Sequence, residues 1–234
     1  MNVLAACARY RFITALLACA LAGAAHAQVA PSAAEIAAYT GLFTAAARGD
    51  ATEISRLAAS GADVNAREGY GRTPLHVATF GRHREAIAAL AKARADLNAK
   101  ERDRYDAVTI AAVADDVATL KLLLQLGASA KQVTSRYDGT ALIAAAHLGH
   151  VEVVRILIKA GAPLDHVNNL GWTALIESIV LGDGGARHTA TLDALVDAGA
   201  NVNIADRQGM SPLHLAEGRG YRDMADILQR AGGR

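Results

Sequence analysis

Cysteine is nearly missing from this chain, and its two examples, Cys7 and Cys19, both fall near the start. That start reads as a targeting segment. Arg9 and Arg11 precede an uncharged apolar run over residues 12–25, and Ala25-His26-Ala27 places small residues at the two positions a signal peptidase reads. The run falls short of the ~20 residues a membrane-spanning helix needs. Residues 1–27 are therefore expected to be a signal peptide, cut before Gln28, with a retained anchor as the alternative. A lipoprotein cut at Cys19 fits less well, because the apolar run continues through Leu21 and Ala22. Cleavage leaves no thiol, which excludes disulfides, a cysteine nucleophile and cysteine metal ligands. Export without disulfides suits a bacterial periplasm.

Charge of either sign is also lacking in excess. Losing Arg9 and Arg11 takes the 24 basic residues to 22, against 23 acidic ones. This balance favours neither nucleic acid nor an anionic membrane as a partner. Aromatics are scarce as well. Eight remain after cleavage: Tyr39, Phe43, Tyr70, Phe80, Tyr105, Tyr137, Trp172 and Tyr221.

What the sequence has in abundance is periodicity. Gly61, Gly127, Gly161, Gly199 and Gly232 recur at about 33 residues, with Arg94 in the one vacant slot. A second series runs in phase: Thr40, Thr73, Asp106, Thr140, Thr173 and Ser211. Thr, Ser and Asp at a helix entrance accept a hydrogen bond from the first turn, worth ~1 kcal/mol. Pro74 and Pro212 follow at the position where a missing N–H is harmless. The glycines suit a left-handed helix end. Between the markers lie short amphipathic patterns such as Val151, Val154, Leu157 and Ile158. Helices of about ten residues are unstable alone in water, so stacking must bury their apolar stripes, which predicts a solenoid.

Thr73-Pro74-Leu75-His76-Val77-Ala78 and Ser211-Pro212-Leu213-His214-Leu215-Ala216 resemble the ankyrin signature, whose 33-residue period is a known hallmark. Gly61-Ala62-Asp63-Val64-Asn65 and Gly199-Ala200-Asn201-Val202-Asn203 resemble the family's turn after the second helix. The resemblance implies an all-α ankyrin-repeat solenoid of about six helix-turn-helix units with short hairpin-like loops. The units are placed near 38–70, 71–103, 104–137, 138–170, 171–208 and 209–234. Residues 28–37 are expected to be a loose leader or a capping turn, and the sixth unit a C-terminal cap. Three departures stand out. Asp106-Ala107-Val108-Thr109 replaces the signature in the third unit, Arg94 replaces a glycine, and the fifth unit carries five extra residues near Gly182–Ala186.

In this family the partner usually meets hairpin tips and first-helix ends on a concave face. Carried over residue by residue, the implied partner-binding positions are Tyr70, Arg72, Phe80, Tyr105, Val113, Tyr137, His147, Leu170, Trp172 and Met210. Asp103, Gly139, Gln208, Leu148, Val180 and Leu181 occupy equivalent slots. Five of the eight aromatics fall on these positions, and aromatics with Arg dominate interface energetics. Hairpin-to-hairpin packing of the same rings is the competing expectation. The run Lys100-Glu101-Arg102-Asp103-Arg104 reads as a solvated tip rather than a charged rim.

Signals for chemistry are weak. His76 and His214 hold the signature slot, where the resemblance implies ring hydrogen bonds to backbone between units. His147 and His150 are separated by a break near Gly149, and no Cys pair or His-Glu-x-x-His accompanies them. Gly182-Asp183-Gly184-Gly185 lacks the strand and Lys-Ser/Thr of a phosphate loop and reads as a flexible surface insertion. No Gly-x-Ser-x-Gly elbow is present. The expectation is a monomeric, non-catalytic, cofactor-free scaffold with a protein partner. The alternatives are a periplasmic stress-protection accessory of a detoxifying enzyme, a role that small exported ankyrin proteins of similar layout can fill, and a metal-handling protein using the fifth-unit insertion.

Overall fold

Six pairs of short antiparallel helices follow one another along the chain. In this computed structural model residues 28–234 are described, so the segment expected to be a signal peptide lies outside them. Residues 31–234 form one unit of structure. A helix α1 (Ala33–Ala38) comes first, and then the pairs. They are α2 (Gly41–Arg48) with α3 (Ala51–Ala59), α4 (Pro74–Phe80) with α5 (Arg84–Lys92), and α6 (Ala107–Val113) with α7 (Val117–Gln125). The rest are α8 (Ala141–His147) with α9 (Val151–Lys159), α10 (Ala174–Val180) with α11 (Ala186–Asp197), and α12 (Pro212–Arg219) with α13 (Arg222–Arg230). Among the described residues the only strands are β1 (Val133–Thr134) and β2 (Gly139–Thr140), antiparallel with Val133 opposite Thr140.

Each first helix packs on the first helix of the next pair, and each second helix on the next second helix. Translational stacking therefore does bury the apolar stripes. Leu75, Ile87, Leu90, Leu120, Leu123, Leu142, Leu157 and Leu175 are all within 1% of complete burial. Asparagines and an aspartate tie unit to unit: Asn65 accepts from the Asp96 N–H, Asn98 from Ser129 and Asp165 from Asn201, each at 2.8 Å.

The caps largely follow the expected chemistry. Asp106, Thr140, Thr173 and Ser211 accept from the backbone N–H three residues on, at 2.8–3.3 Å. Thr40 makes no such side-chain bond, which corrects its reading as a side-chain cap. Thr73 pairs instead with the His76 ring, its N–H donating to Nδ1 at 3.0 Å. Arg94 adopts φ 67°, the left-handed geometry its sibling glycines adopt. The leader is not loose. Ser32 and Glu35 form a reciprocal capping box that starts α1.

The insertion is absorbed in two places. Five residues separate α10 from α11, where three separate α4 from α5, and α11 runs 12 residues where the other second helices run 9. The loop is built rather than merely flexible. Asp183 Oδ1 accepts from the Gly185 N–H at 2.9 Å and meets His188 Nδ1 at 2.8 Å. A Cβ on Gly184, whose φ is 71°, would strike the Tyr221 ring, so that glycine is needed for close approach as well as for its backbone.

Candidate interaction face

One device closes all five hairpins. The residue five before each capping position accepts from the backbone N–H groups two and four residues later. Glu68 holds Tyr70 and Arg72 at 3.0 Å, and Glu101 holds Asp103 and Tyr105 at 2.9 and 3.0 Å. Ser135 holds Tyr137 and Gly139 at 3.2 and 3.4 Å. Asn168 holds Leu170 and Trp172 at 3.0 Å, and Asp206 holds Gln208 and Met210 at 2.9 Å. The device thereby fixes the backbone of the very positions the family resemblance singles out. The clasp escaped the sequence reading because Glu, Ser, Asn and Asp share only an acceptor oxygen.

Tyr70 is held against the next hairpin. Its hydroxyl donates to Asp103 Oδ2 at 3.0 Å, and the Arg102 and Arg72 guanidinium groups lie 4.7 and 5.0 Å from its ring centre. Tyr105, Tyr137, Leu170 and Trp172 are half-buried, and so are Phe80, Val113 and His147 at the first-helix ends. Burial, reinforced by Asp103, raises the Tyr105 phenol above its ordinary value. Met210 is 40% exposed, and Leu148 and Leu181 are 36% and 39% exposed.

Two readings need correction. Arg72 is fully buried. Its Nε donates to Glu68 at 3.0 Å and its Nη2 pairs with Glu35 of α1, so it joins the leader helix to the first hairpin and presents nothing to a partner. The run from Lys100 to Arg104 is likewise not a solvated tip. Glu101 is buried, Asp103 bridges Tyr70 and Arg136, and Arg104 pairs with Asp138 at 2.6 Å. Unlike charges spaced one repeat apart make these bridges possible.

Beneath the fourth and fifth units lies Glu177 on α10, 4% exposed. Its Oε1 accepts from Asn168 Nδ2 at 3.0 Å. No donor among the described residues makes a hydrogen bond to Oε2, and His147 Nδ1 stands 3.6 Å away. Burial pushes the carboxyl up to about 7, although the Asn168 amide acts the other way. Burial lowers His147, helped by His188.

Of the remaining histidines, His76, His83, His150 and His188 link units. His76 Nε2 lies 3.2 Å from the Tyr105 carbonyl, and burial holds the ring down at about 4. A neutral ring with Nδ1 accepting and Nε2–H donating satisfies both bonds. His83 reaches the Ala47 carbonyl and His150 the Ala112 carbonyl, each at 3.0 Å, and His188 reaches His147 O at 2.9 Å. His188 does this from the added turn of α11, replacing the contact that His83 and His150 make from helix entrances. His214 is exposed, and among the described residues its ring meets only Ser211 Oγ, at 2.8 Å. Among the described residues no group of three or more His, Cys, Asp or Glu could hold a metal ion, and no helix is long and apolar enough to cross a membrane.

A stack of helix pairs in 33-residue register, joined by clasped hairpins, defines a repeat scaffold. The family model for ankyrin repeats (3 copies) matches residues 4–101 and 108–206, and that for ankyrin repeats (many copies) matches 185–229. The chain belongs to the ankyrin-repeat family. It is 32% identical to the putative ankyrin repeat protein YahD of Escherichia coli (strain K12), over 80% of this chain and 94% of that one. An ankyrin repeat domain from Acinetobacter baumannii AYE superposes with a TM-score of 0.78 at 42% identity, covering 82% of this chain and 98% of that chain. The ankyrin repeat domain of Bcl-3, a member of the IkappaB protein family, gives 0.74 at 28%, covering 84% and 87%.

Proposed function

We propose that this protein is a non-catalytic scaffold that docks a protein partner across the hairpin tips and first-helix ends of its fourth to sixth units. One observation carries the reading. Within the repeats, the exposed large apolar side chains among the described residues are Leu148, Val167, Leu181 and Met210, and all lie in these units. Exposed apolar side chains mark interaction sites where they cluster, and Leu170 and the half-buried Trp172 lie on the fourth hairpin, between Val167 and Leu181 in the sequence. In units two and three the equivalent hairpins spend their side chains on one another, through Tyr70, Asp103 and Arg136. Compartment enters the proposal from the first 27 residues, whose pattern suits export to a periplasm, and one copy suffices for such a scaffold.

The test is in-cell crosslinking followed by mass identification, comparing wild type with Trp172→Ala/Met210→Ala and with Tyr70→Ala. The double variant is expected to lose the captured partner and Tyr70→Ala to keep it. Equal capture by the double variant would place the docking surface elsewhere. Fractionation and the mass of the mature N-terminus test export.

A further inference from the structure

Glu177 occupies a junction that the scaffold reading leaves unused. Through Oε1 it fixes the Asn168 amide, and Asn168 in turn grips Trp172 twice: its Oδ1 accepts the Trp172 N–H, and its own N–H donates to the Trp172 carbonyl, both at 3.0 Å. Through Oε2 it faces His147 on the preceding unit. One carboxyl group thus underlies three of the positions assigned to the partner face: His147, Leu170 and Trp172.

We propose that Glu177 is a proton-linked latch, in which its protonated form holds His147 and the fourth hairpin in the arrangement described and loss of that proton releases them. The proposal rests on the scaffold reading only for its consequence, that partner docking is regulated; the latch itself needs no partner. In the protonated state the carboxyl O–H faces the neutral His147 ring, whose Nδ1 lies 3.6 Å away, and donates to it once that gap closes slightly, while Oε1 keeps the Asn168 bond. In the ionised state, with the His147 ring as its Nε2–H tautomer, a buried carboxylate oxygen faces a ring-nitrogen lone pair and has no donor bonded to it, a costly arrangement. The structure relieves it by turning His147 outward or by parting the α8–α10 seam to admit water, and the Asn168 grip on Trp172 slackens with it. The group titrates near neutrality, where burial has moved it.

The other ionisable side chains on elements packed against α10 are Arg187, His188, Asp193 and Asp197 from α11, and His214, Glu217 and Arg219 from α12. Arg187 Nε donates to Gly149 O, His188 lies between Asp183 and the His147 carbonyl, and Glu217 accepts from Gln229. Among the described residues, His147 alone comes within ion-pair distance of Glu177.

Trp172 is the chain's single tryptophan, so its fluorescence reports on the hairpin directly. In purified full-length protein, tryptophan emission is followed from pH 5 to pH 9, with circular dichroism at each point to show that the helices persist. Wild type is expected to show one transition with a midpoint near 7. Glu177→Gln, which keeps shape and the Asn168 bond, is expected to abolish it; His147→Phe keeps the transition but moves its midpoint. A transition unchanged in Glu177→Gln, or none in wild type, overturns the latch and leaves the docking surface standing. Should Glu177→Gln fold poorly, carboxyl-carbon NMR titration of the wild type decides instead, and a Glu177 midpoint in the ordinary carboxylate range refutes the proposal. Loss of partner capture in Trp172→Ala/Met210→Ala is a separate readout, so the two ideas fail independently.

Discussion

Replacing Arg94 with glycine should make the protein more stable, although it removes a whole side chain. Arg94 ends α5 at φ 67°, where Gly61, Gly127, Gly161, Gly199 and Gly232 adopt φ between 79° and 101°. Its N–H bonds to Ala91 O at 2.9 Å, and the next N–H to Leu90 O at 3.0 Å, so the backbone closes the helix as the glycines do. The side chain is exposed and makes no hydrogen bond or ion pair among the described residues, so little is lost with it. A left-handed non-glycine residue costs roughly 1–2 kcal/mol, and glycine returns about 0.4–1 kcal/mol of that through the freer unfolded chain. The net gain for Arg94→Gly is then about 0.5–1 kcal/mol. For a fold of this size that raises Tm by roughly 1–4 °C. Urea titration monitored by circular dichroism should move its midpoint upward, and hydrogen exchange should slow at the amides joining the second and third units, since repeat stacks respond locally. Arg94→Ala keeps the strain and should be nearly neutral. If glycine and alanine behave alike, backbone strain is not what Arg94 contributes.

Three further outcomes follow from buried charge. Arg72→Ala strands Glu68 and should cost about 3 kcal/mol, seen as a lower urea midpoint and as faster exchange in α1, which loses its Glu35 partner. Asp106→Thr should stabilise by about 1 kcal/mol at neutral pH. Burial raises Asp106 in the fold, so its ionised form opposes folding as pH rises, and the gain over wild type should shrink on acidification. His76 and Glu177 should bend the stability profile in opposite senses. His76, lowered from 6.5 to about 4, costs stability as pH falls through that window, and Glu177, raised from 4.5 to about 7, costs it as pH rises through its own. Each effect is up to roughly 3 kcal/mol. Melts across this range should show Glu177→Gln gaining stability steadily with pH, and His76→Gln losing it; parallel profiles for the two variants would refute the assignment.

The repeat was legible in the sequence because its rules are local. Capping Thr, Ser and Asp and the left-handed glycines act within a turn or two, and a 33-residue spacing repeats them until the register is plain. What escaped depends on neighbours far along the chain. Arg72 looked like a tip residue because one of its partners, Glu35, lies 37 positions earlier on a segment expected to be a loose leader or a capping turn. Asp103 looked solvated because its partners are a tyrosine and an arginine each 33 residues off. Glu177 sits mid-helix among apolar residues, and periodicity says nothing of an acid there until Asn168 and His147 are brought to it. The insertion was located correctly, but its chemistry was not, since His188 enters only through a turn of helix that nothing in Gly182–Gly185 announces.

Because the surplus length of the fifth unit is split between a bend and an extra turn of helix, its two helices still pack on their counterparts in the neighbouring units. Such a unit is a natural graft point. Foreign peptide spliced beside Asp183, whose side chain is 77% exposed, would project outward while Gly184 and Tyr221 keep the seam shut. A reporter or affinity sequence placed there should leave the stacking of the array intact, provided the His188 ring keeps its place over Gly149 and Gly182.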